Sequence, residues 1–217
     1  RLVDLKNLIN SLDMKSEVPQ IEVAVGDEGA MLVIRHMVDV SVADRDRLGQ
    51  FQAEHKIGIL LQGNDSGMIQ PLNHDSGASL SYTLEDHDVT IDFSPLDFTQ
   101  INFSINRAMI RQVIDLLQPE KSSRVLDLFC GLGNFTLPLA RYAGFVTGIE
   151  GASDMVEKAR VNAASNAIEN VEFYKANLYS PTIQGEFMHG QYDKILMDPP
   201  RSGAREVIEQ MNFRQVQ

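Results

Sequence analysis

Four stretches of this 217-residue chain, all in its second half, carry residues whose types and order suit chemistry. The first, Arg124-Val125-Leu126-Asp127-Leu128-Phe129-Cys130-Gly131-Leu132-Gly133-Asn134-Phe135-Thr136, reads as a buried strand, a glycine-rich turn and a helix start. Glycines are needed where backbone turns sharply at a strand's carboxyl end and approaches a ligand closely. The spacing is Gly-x-Gly, without the third glycine of the dinucleotide fingerprint, which disfavours a pyrophosphate. Glu150 follows 19 residues after Gly131, at the end of the next strand. There an acid can accept both hydroxyls of a ribose, as adenosine cofactors require; the alternative is a solvated strand-end carboxylate. Asn177 closes a third strand, where it can meet an adenine edge or simply form a turn. Asp198-Pro199-Pro200-Arg201 ends a fourth. Its two prolines fix an extended turn that holds the acid at the crevice of the sheet. Enzymes that methylate a planar nitrogen or a base carry similar turns. Alone it would say little, since proline often follows strands; it gains meaning from the glycine loop and Glu150 before it.

These residues need a scaffold of alternating strands and helices. Apolar positions 105, 109, 110, 113, 114, 116 and 117 define an amphipathic helix over Ile105–Leu117. Strands follow at Val125–Phe129, Phe145–Ile149, Val171–Tyr174 and Lys194–Met197, with helices near Phe135–Arg141 and Ser153–Asn166. That alternation implies an α/β fold with a parallel sheet and crossover helices. The first half reads differently. Helical spacing over Leu2–Leu12 precedes a hairpin, Ile21–Val25 and Met31–Arg35. A helix over Ser41–His55 comes next, with Ala43–Arg47 as a solvated face, then a strand at Ile57–Leu61 and a loop at Gly63–Gly67. A second hairpin pairs Ser79–Leu84 with Val89–Phe93. This predicts a small α+β domain over residues 1–93, preceding a domain over 94–217. His36, His55, His74 and His87 have no metal-ligand spacing and read as surface or satisfied histidines; no metal site is expected.

Composition narrows the classes further. A hydrophobic content of 43% with 23% charged residues fits a soluble globular protein. No apolar run reaches the roughly 18 residues of a membrane span, and no signal peptide opens the chain. The single cysteine, Cys130, excludes internal disulfides and fits a reducing cytoplasm. Net charge is −11, unevenly spread: residues 1–96 carry 7 basic and 16 acidic side chains (−9), residues 97–217 carry 12 and 14 (−2). Because phosphate neutralisation dominates nucleic-acid affinity, the first half is not expected to be a main RNA-binding surface.

Phe93-Ser94-Pro95-Leu96-Asp97-Phe98-Thr99-Gln100-Ile101-Asn102, then Asp127–Pro138, then Asp198-Pro199-Pro200-Arg201, resemble the bacterial RNA uracil-5 methyltransferases, in particular those acting on 23S ribosomal RNA. The motifs span about residues 93–203, with a looser likeness before them. The resemblance implies a Rossmann-like class I methyltransferase domain with an incomplete parallel sheet, and S-adenosyl-L-methionine as cofactor. It implies cofactor contacts at Gln100 (methionine part), Phe129, Asn134, Glu150 (ribose), Asn177 (adenine) and Asp198, the last between cofactor and target base. It further implies 23S ribosomal RNA as partner, with neither membrane nor DNA, and a 4Fe–4S cluster whose ligands are absent here. In the family a cysteine thiolate adds to carbon 6 of the uracil, and carbon 5 then takes the methyl group.

That nucleophile and the base, a glutamate, are expected beyond Gln217, so no catalytic residue is assigned in this chain. Cys130 is expected to pack beside the cofactor as a small buried residue. The lack of an initiator Met and the early stop suggest a piece of a longer protein, unable to methylate RNA alone. Its unpaired sheet edge is expected to promote self-association or to reflect proteolytic trimming. Three other readings remain open at this point: a uracil-5 methyltransferase for transfer RNA or another ribosomal site, an amino-directed methyltransferase using Asp198-Pro199-Pro200, and a non-catalytic nucleotide-binding module.

Overall fold

The computed structural model describes residues 2–64, 68–73 and 80–211. Most of the expected Gly63–Gly67 loop, His74, and the first residue of the Ser79–Leu84 strand lie outside the described residues. The chain forms two units. One runs to Ser81 and includes Phe93–Asp97; the other comprises Tyr82–Asp92 and the chain from Phe98 onward.

In the first unit, α1 (Leu2–Ser11), β1 (Gln20–Val25), β2 (Ala30–His36), α2 (Val42–His55), β3 (Gly58–Gly63) and β4 (Ile69–Pro71) follow in order. The sheet order is β1-β2-β3-β4. The hairpin pairs β1 with β2 antiparallel, and α2 carries the chain across to a parallel β3. Met31–Ile34 is buried at every position, as an interior strand covered on both faces must be. Leu8, Leu12, Leu32, Ile34, Leu48 and Ile59 form the centre of its core. Ser41 starts α2 by accepting the Asp44 N–H on its hydroxyl, and Lys56 ends it in the left-handed region. The short strand β4, antiparallel to β3, has no sequence signal of its own.

One expectation fails here. Asp44, placed on a solvated face, is 1% exposed. Its carboxylate accepts the backbone N–H groups of Asp13 (2.9 Å) and Met14 (3.1 Å) and the Arg47 guanidinium (2.7 Å). Those N–H groups open a 3-10 turn, Lys15–Glu17, and need an acceptor that the turn cannot supply.

A two-stranded ribbon follows, β5 (Leu80–Leu84) and β6 (Val89–Phe93), with alternating burial, and its residues 82–92 belong to the second unit. There follow α3 (Phe103–Leu117), β7 (Arg124–Leu128), α4 (Thr136–Ala140), β8 (Phe145–Glu150), α5 (Ser153–Ser165), β9 (Val171–Lys175), β10 (Lys194–Met197) and α6 (Arg205–Gln210). The sheet order is β10-β7-β8-β9, all parallel. Val125, Leu126 and Leu128 of the central β7 have no exposure; burying each contributes roughly 1.5–3 kcal/mol.

Residues 82–92 stay with this unit because α5 grips β6 through side-chain amides. Asn166 exchanges two hydrogen bonds with the Thr90 backbone (2.7 Å each), and Asn162 exchanges two with Asp92 (3.0 and 3.1 Å). Two asparagines one helical turn apart thus act as a paired strand for β6. The composition change near residue 94 carries no trace of this. A 3-10 turn at Glu186–His189 and the short α6 also have no counterpart in the sequence reading.

Candidate cofactor-binding site

Four parallel strands end side by side at Leu128, Glu150, Lys175 and Met197, and the loops beyond them carry four of the expected residues, with Glu150 itself ending β8. In an open α/β sheet, ligands bind in the crevice outside these carboxyl ends. After β7 the backbone leaves the strand abruptly. Phe129 has φ +67°, Gly131 +54° and Gly133 +91°. The glycines adopt these values freely; a bulky residue such as Phe129 does so only when its surroundings enforce it. The Cys130 N–H donating to Ile149 O (3.0 Å) and the Phe129 ring against Tyr179 (centroids 5.7 Å apart) supply that enforcement. Tyr179 in turn accepts a hydrogen bond from Ser202, so the loops after β7, β9 and β10 are joined.

Glu150 joins the loops after β7 and β8. One oxygen accepts the Gly131 N–H (3.1 Å), the other those of Gly151 (2.7 Å) and Ala152 (3.0 Å). A carboxylate has about four acceptor positions, so one remains open, and a diol would displace one of these backbone donors. Asn134 is held as well: its Oδ1 accepts from Tyr82 OH and Asn106 Nδ2 (2.8 Å each), and its Nδ2 donates to Asn106 Oδ1 (2.9 Å). Asn177 is exposed, and its Oδ1 accepts the Tyr179 N–H (3.0 Å), the turn-forming arrangement; its amide nitrogen stays open. Asp198 is exposed beside the Pro-Pro turn, and partial desolvation raises its carboxyl above the usual range. Gln100 lies half-buried in the loop before α3, and no hydrogen bond links it to the other expected residues.

Two features escaped the sequence reading as site elements. Asp127, 1% exposed in the middle of β7, accepts a hydrogen bond from Thr136 Oγ1 (2.6 Å) through Oδ2, while its Oδ1 has no partner. Burial, opposed by Thr136 and reinforced by the charges of Asp198 and Glu150, pushes its carboxyl up to about 7. An acid inside an otherwise apolar strand was its only signal. The second is the pair Asn106 and Tyr82, which nothing in their spacing marks. Cys130 is buried, and burial together with Asp127 and Glu150 pushes its thiol well above the ordinary range. A thiol held protonated is a poor nucleophile and suits a packing role. Among the described residues, no three His, Cys, Asp or Glu side chains are grouped to hold a metal ion.

A family model described as tRNA (Uracil-5-)-methyltransferase matches residues 31–215. The chain belongs to this tRNA (uracil-5-)-methyltransferase family. Among relatives, the chain is 46% identical over 209 residues to the 23S rRNA (uracil(1939)-C(5))-methyltransferase RlmD of Methylococcus capsulatus, covering 96% of this chain and 47% of that protein. It is 49% identical over 210 residues to the protein of the same name from Alkalilimnicola ehrlichii, again covering 96% and 47%. The chain spans about half the length of the curated relatives it matches. The fold is that of the Pyrococcus abyssi tRNA (uracil-54, C5)-methyltransferase, solved with S-adenosyl-L-homocysteine. The TM-score is 0.69 at 18% identity, over 99% of this chain and 54% of that one. In this uracil-5 methyltransferase family member, the Rossmann-like parallel sheet expected from the sequence is therefore present. No helix among the described residues is long and apolar enough to cross a membrane.

Proposed function

We propose that this chain is the cofactor-binding part of an S-adenosyl-L-methionine-dependent enzyme that methylates carbon 5 of a uridine in 23S ribosomal RNA. By likeness to the named relatives, that uridine is position 1939. The observation that carries the reading is the glycine cradle at Gly131 and Gly133, tied by the Glu150 carboxylate to the end of the neighbouring strand. The unpartnered Asp127 Oδ1 supports it, because a buried acceptor without a donor fits a site completed by a ligand.

In this reading Glu150 receives the ribose hydroxyls, and Asn177 offers its free amide nitrogen to the adenine. Gln100 and Asn134 hold the methionine part, Phe129 lines the cradle, and Asp198 borders the place where the base enters. The bound cofactor supplies a methyl group on a sulfonium centre. The chain's own residues bind it, orient it and exclude water; the nucleophilic thiol is not Cys130, whose proton is held by its surroundings. The target base must leave its stack to reach such a crevice, and the work is cytoplasmic. An iron–sulfur cluster does not fit this chain, whose one cysteine cannot supply a cluster's thiolate set.

Calorimetric titration with S-adenosylhomocysteine tests the reading, with Glu150→Ala as control. Binding that weakens at least about tenfold in the variant (roughly 1.4 kcal/mol) supports it. A folded chain that binds no S-adenosylhomocysteine refutes the cofactor site.

A further inference from the structure

Asn106 sits in the second turn of α3 with no solvent exposure. An amide in that position needs partners, and it finds them in Asn134 of the glycine loop through two reciprocal hydrogen bonds of 2.8 and 2.9 Å. Tyr82, 2% exposed and stacked on Phe103 with ring centroids 5.2 Å apart, adds its hydroxyl to the same Asn134 oxygen. The amide inventory is then decisive. An Asn oxygen has two lone pairs and its nitrogen two hydrogens. Both lone pairs of Asn134 Oδ1 are occupied, by Tyr82 and Asn106, and one of its two N–H groups is spent on Asn106. What remains is a single N–H donor.

The helix that carries Asn106 starts three residues after Gln100, with Asn102 accepting the Ile105 N–H at its cap. α3 therefore follows directly on the stretch bearing Gln100 and holds Asn134 of the glycine loop through Asn106.

We propose that Asn106, assisted by Tyr82, is a positioning residue that turns the Asn134 amide so that the glycine loop offers one N–H donor, selecting a carboxylate oxygen on the amino-acid part of the ligand. This rests on the cofactor reading above. It assigns Asn106 a part in recognition without contact, and it gives Asn134 the polarity of its contact: it serves an acceptor, and an ammonium group must find its partner elsewhere.

Two ligands separate this from a merely structural staple. S-adenosylhomocysteine carries the amino-acid carboxylate, and 5′-methylthioadenosine lacks it while keeping the adenosine. Both are titrated into the full chain as wild type, Asn106→Ala and Tyr82→Phe, at a temperature where each is folded. Asn106→Ala is expected to weaken S-adenosylhomocysteine about tenfold and leave 5′-methylthioadenosine within twofold. Tyr82→Phe, which removes one oxygen atom and keeps the stacked ring, is expected to show the same selectivity at about threefold, and it decides the matter if Asn106→Ala does not fold. Equal losses for both ligands, or none for either, would overturn the proposal and leave a staple. Wild type that binds neither ligand would instead bring down the cofactor reading beneath it.

Discussion

Among the described residues, two aspartates are almost completely buried, one in each unit, and their carboxyls move in opposite directions. Asp44 and Asp127 are each 1% exposed. Burial alone would raise both, since it penalises the charged form. At Asp44 it is outweighed by the backbone N–H groups of Asp13 and Met14 and by Arg47, and the carboxyl falls below the usual carboxylate range. At Asp127 it wins against the hydroxyl and backbone N–H of Thr136, with Asp198 and Glu150 adding repulsion, and the carboxyl climbs to about 7. The difference is one of satisfaction. Every acceptor position that matters at Asp44 meets a donor of its own unit, so the residue staples the turn after α1 to α2. Asp127 keeps a bare oxygen, an unmatched buried acceptor that costs stability.

The comparison is tested most severely by removing the staple. Asp44→Ala leaves the Met14 N–H buried without an acceptor, the Asp13 N–H unsatisfied and Arg47 without its buried partner. Each orphaned buried donor costs roughly 1–3 kcal/mol, so the first unit should lose about 2–4 kcal/mol in urea unfolding. A loss under about 1 kcal/mol would mean that Asp44 is a bystander.

Asp127→Asn should act the other way, and only above a certain pH. With the folded value raised to about 7 from the ordinary 3.8 of an aspartate, the native state holds a proton that the unfolded chain has released. Stability therefore falls as pH rises from about 4 through 7 and is then constant. That rise corresponds to at most about 4 kcal/mol. An asparagine removes that cost but buries amide hydrogens in its place, so the net gain at pH 8 should be about 1–2 kcal/mol. The urea midpoint of the variant, followed from pH 4 to 8, should lose the downward slope of the wild type. Parallel profiles would show that Asp127 is not half-protonated near neutrality.

How much of this was legible follows from where each signal is written. Gly131, Gly133, Glu150 and Asp198 announce themselves because conformation and chain order constrain residue type at strand ends. All four β7–β10 strands were placed within about two residues for the same reason: apolar runs bounded by turns are local patterns. Asp44 was misread because its partners lie 30 and 31 residues away, and a charge between charges looks solvated. Asn106 and Tyr82 stayed invisible because a buried hydrogen bond is a property of two distant positions. Asn162 and Asn166 failed for the same reason, although their spacing of four could have suggested one helical face. The aspartate at 127 stood in plain view inside the quoted motif; its burial and its bare oxygen are facts of packing.

A third buried titratable group sharpens the comparison on the acid side. His87, expected to be exposed or satisfied, is 8% exposed; its Nδ1 is 3.0 Å from Tyr142 OH and its Nε2 has no partner. Burial, with Asp86 opposing and Arg111 assisting, lowers its affinity for a proton. A depressed value means stability that is present above the unfolded value near 6.5 and lost as pH falls through the folded one. The second unit should thus weaken at mildly acidic pH, while the Asp127 contribution improves it over the same interval. The two opposing slopes cancel where they overlap and flatten the profile there, and His87→Phe should remove only the acid arm. An unchanged acid arm in that variant would show that protonated His87 finds a donor-accepting partner that its buried Nε2 lacks in the native packing, and the contrast between filled and unfilled polar sites would then narrow to Asp127 alone.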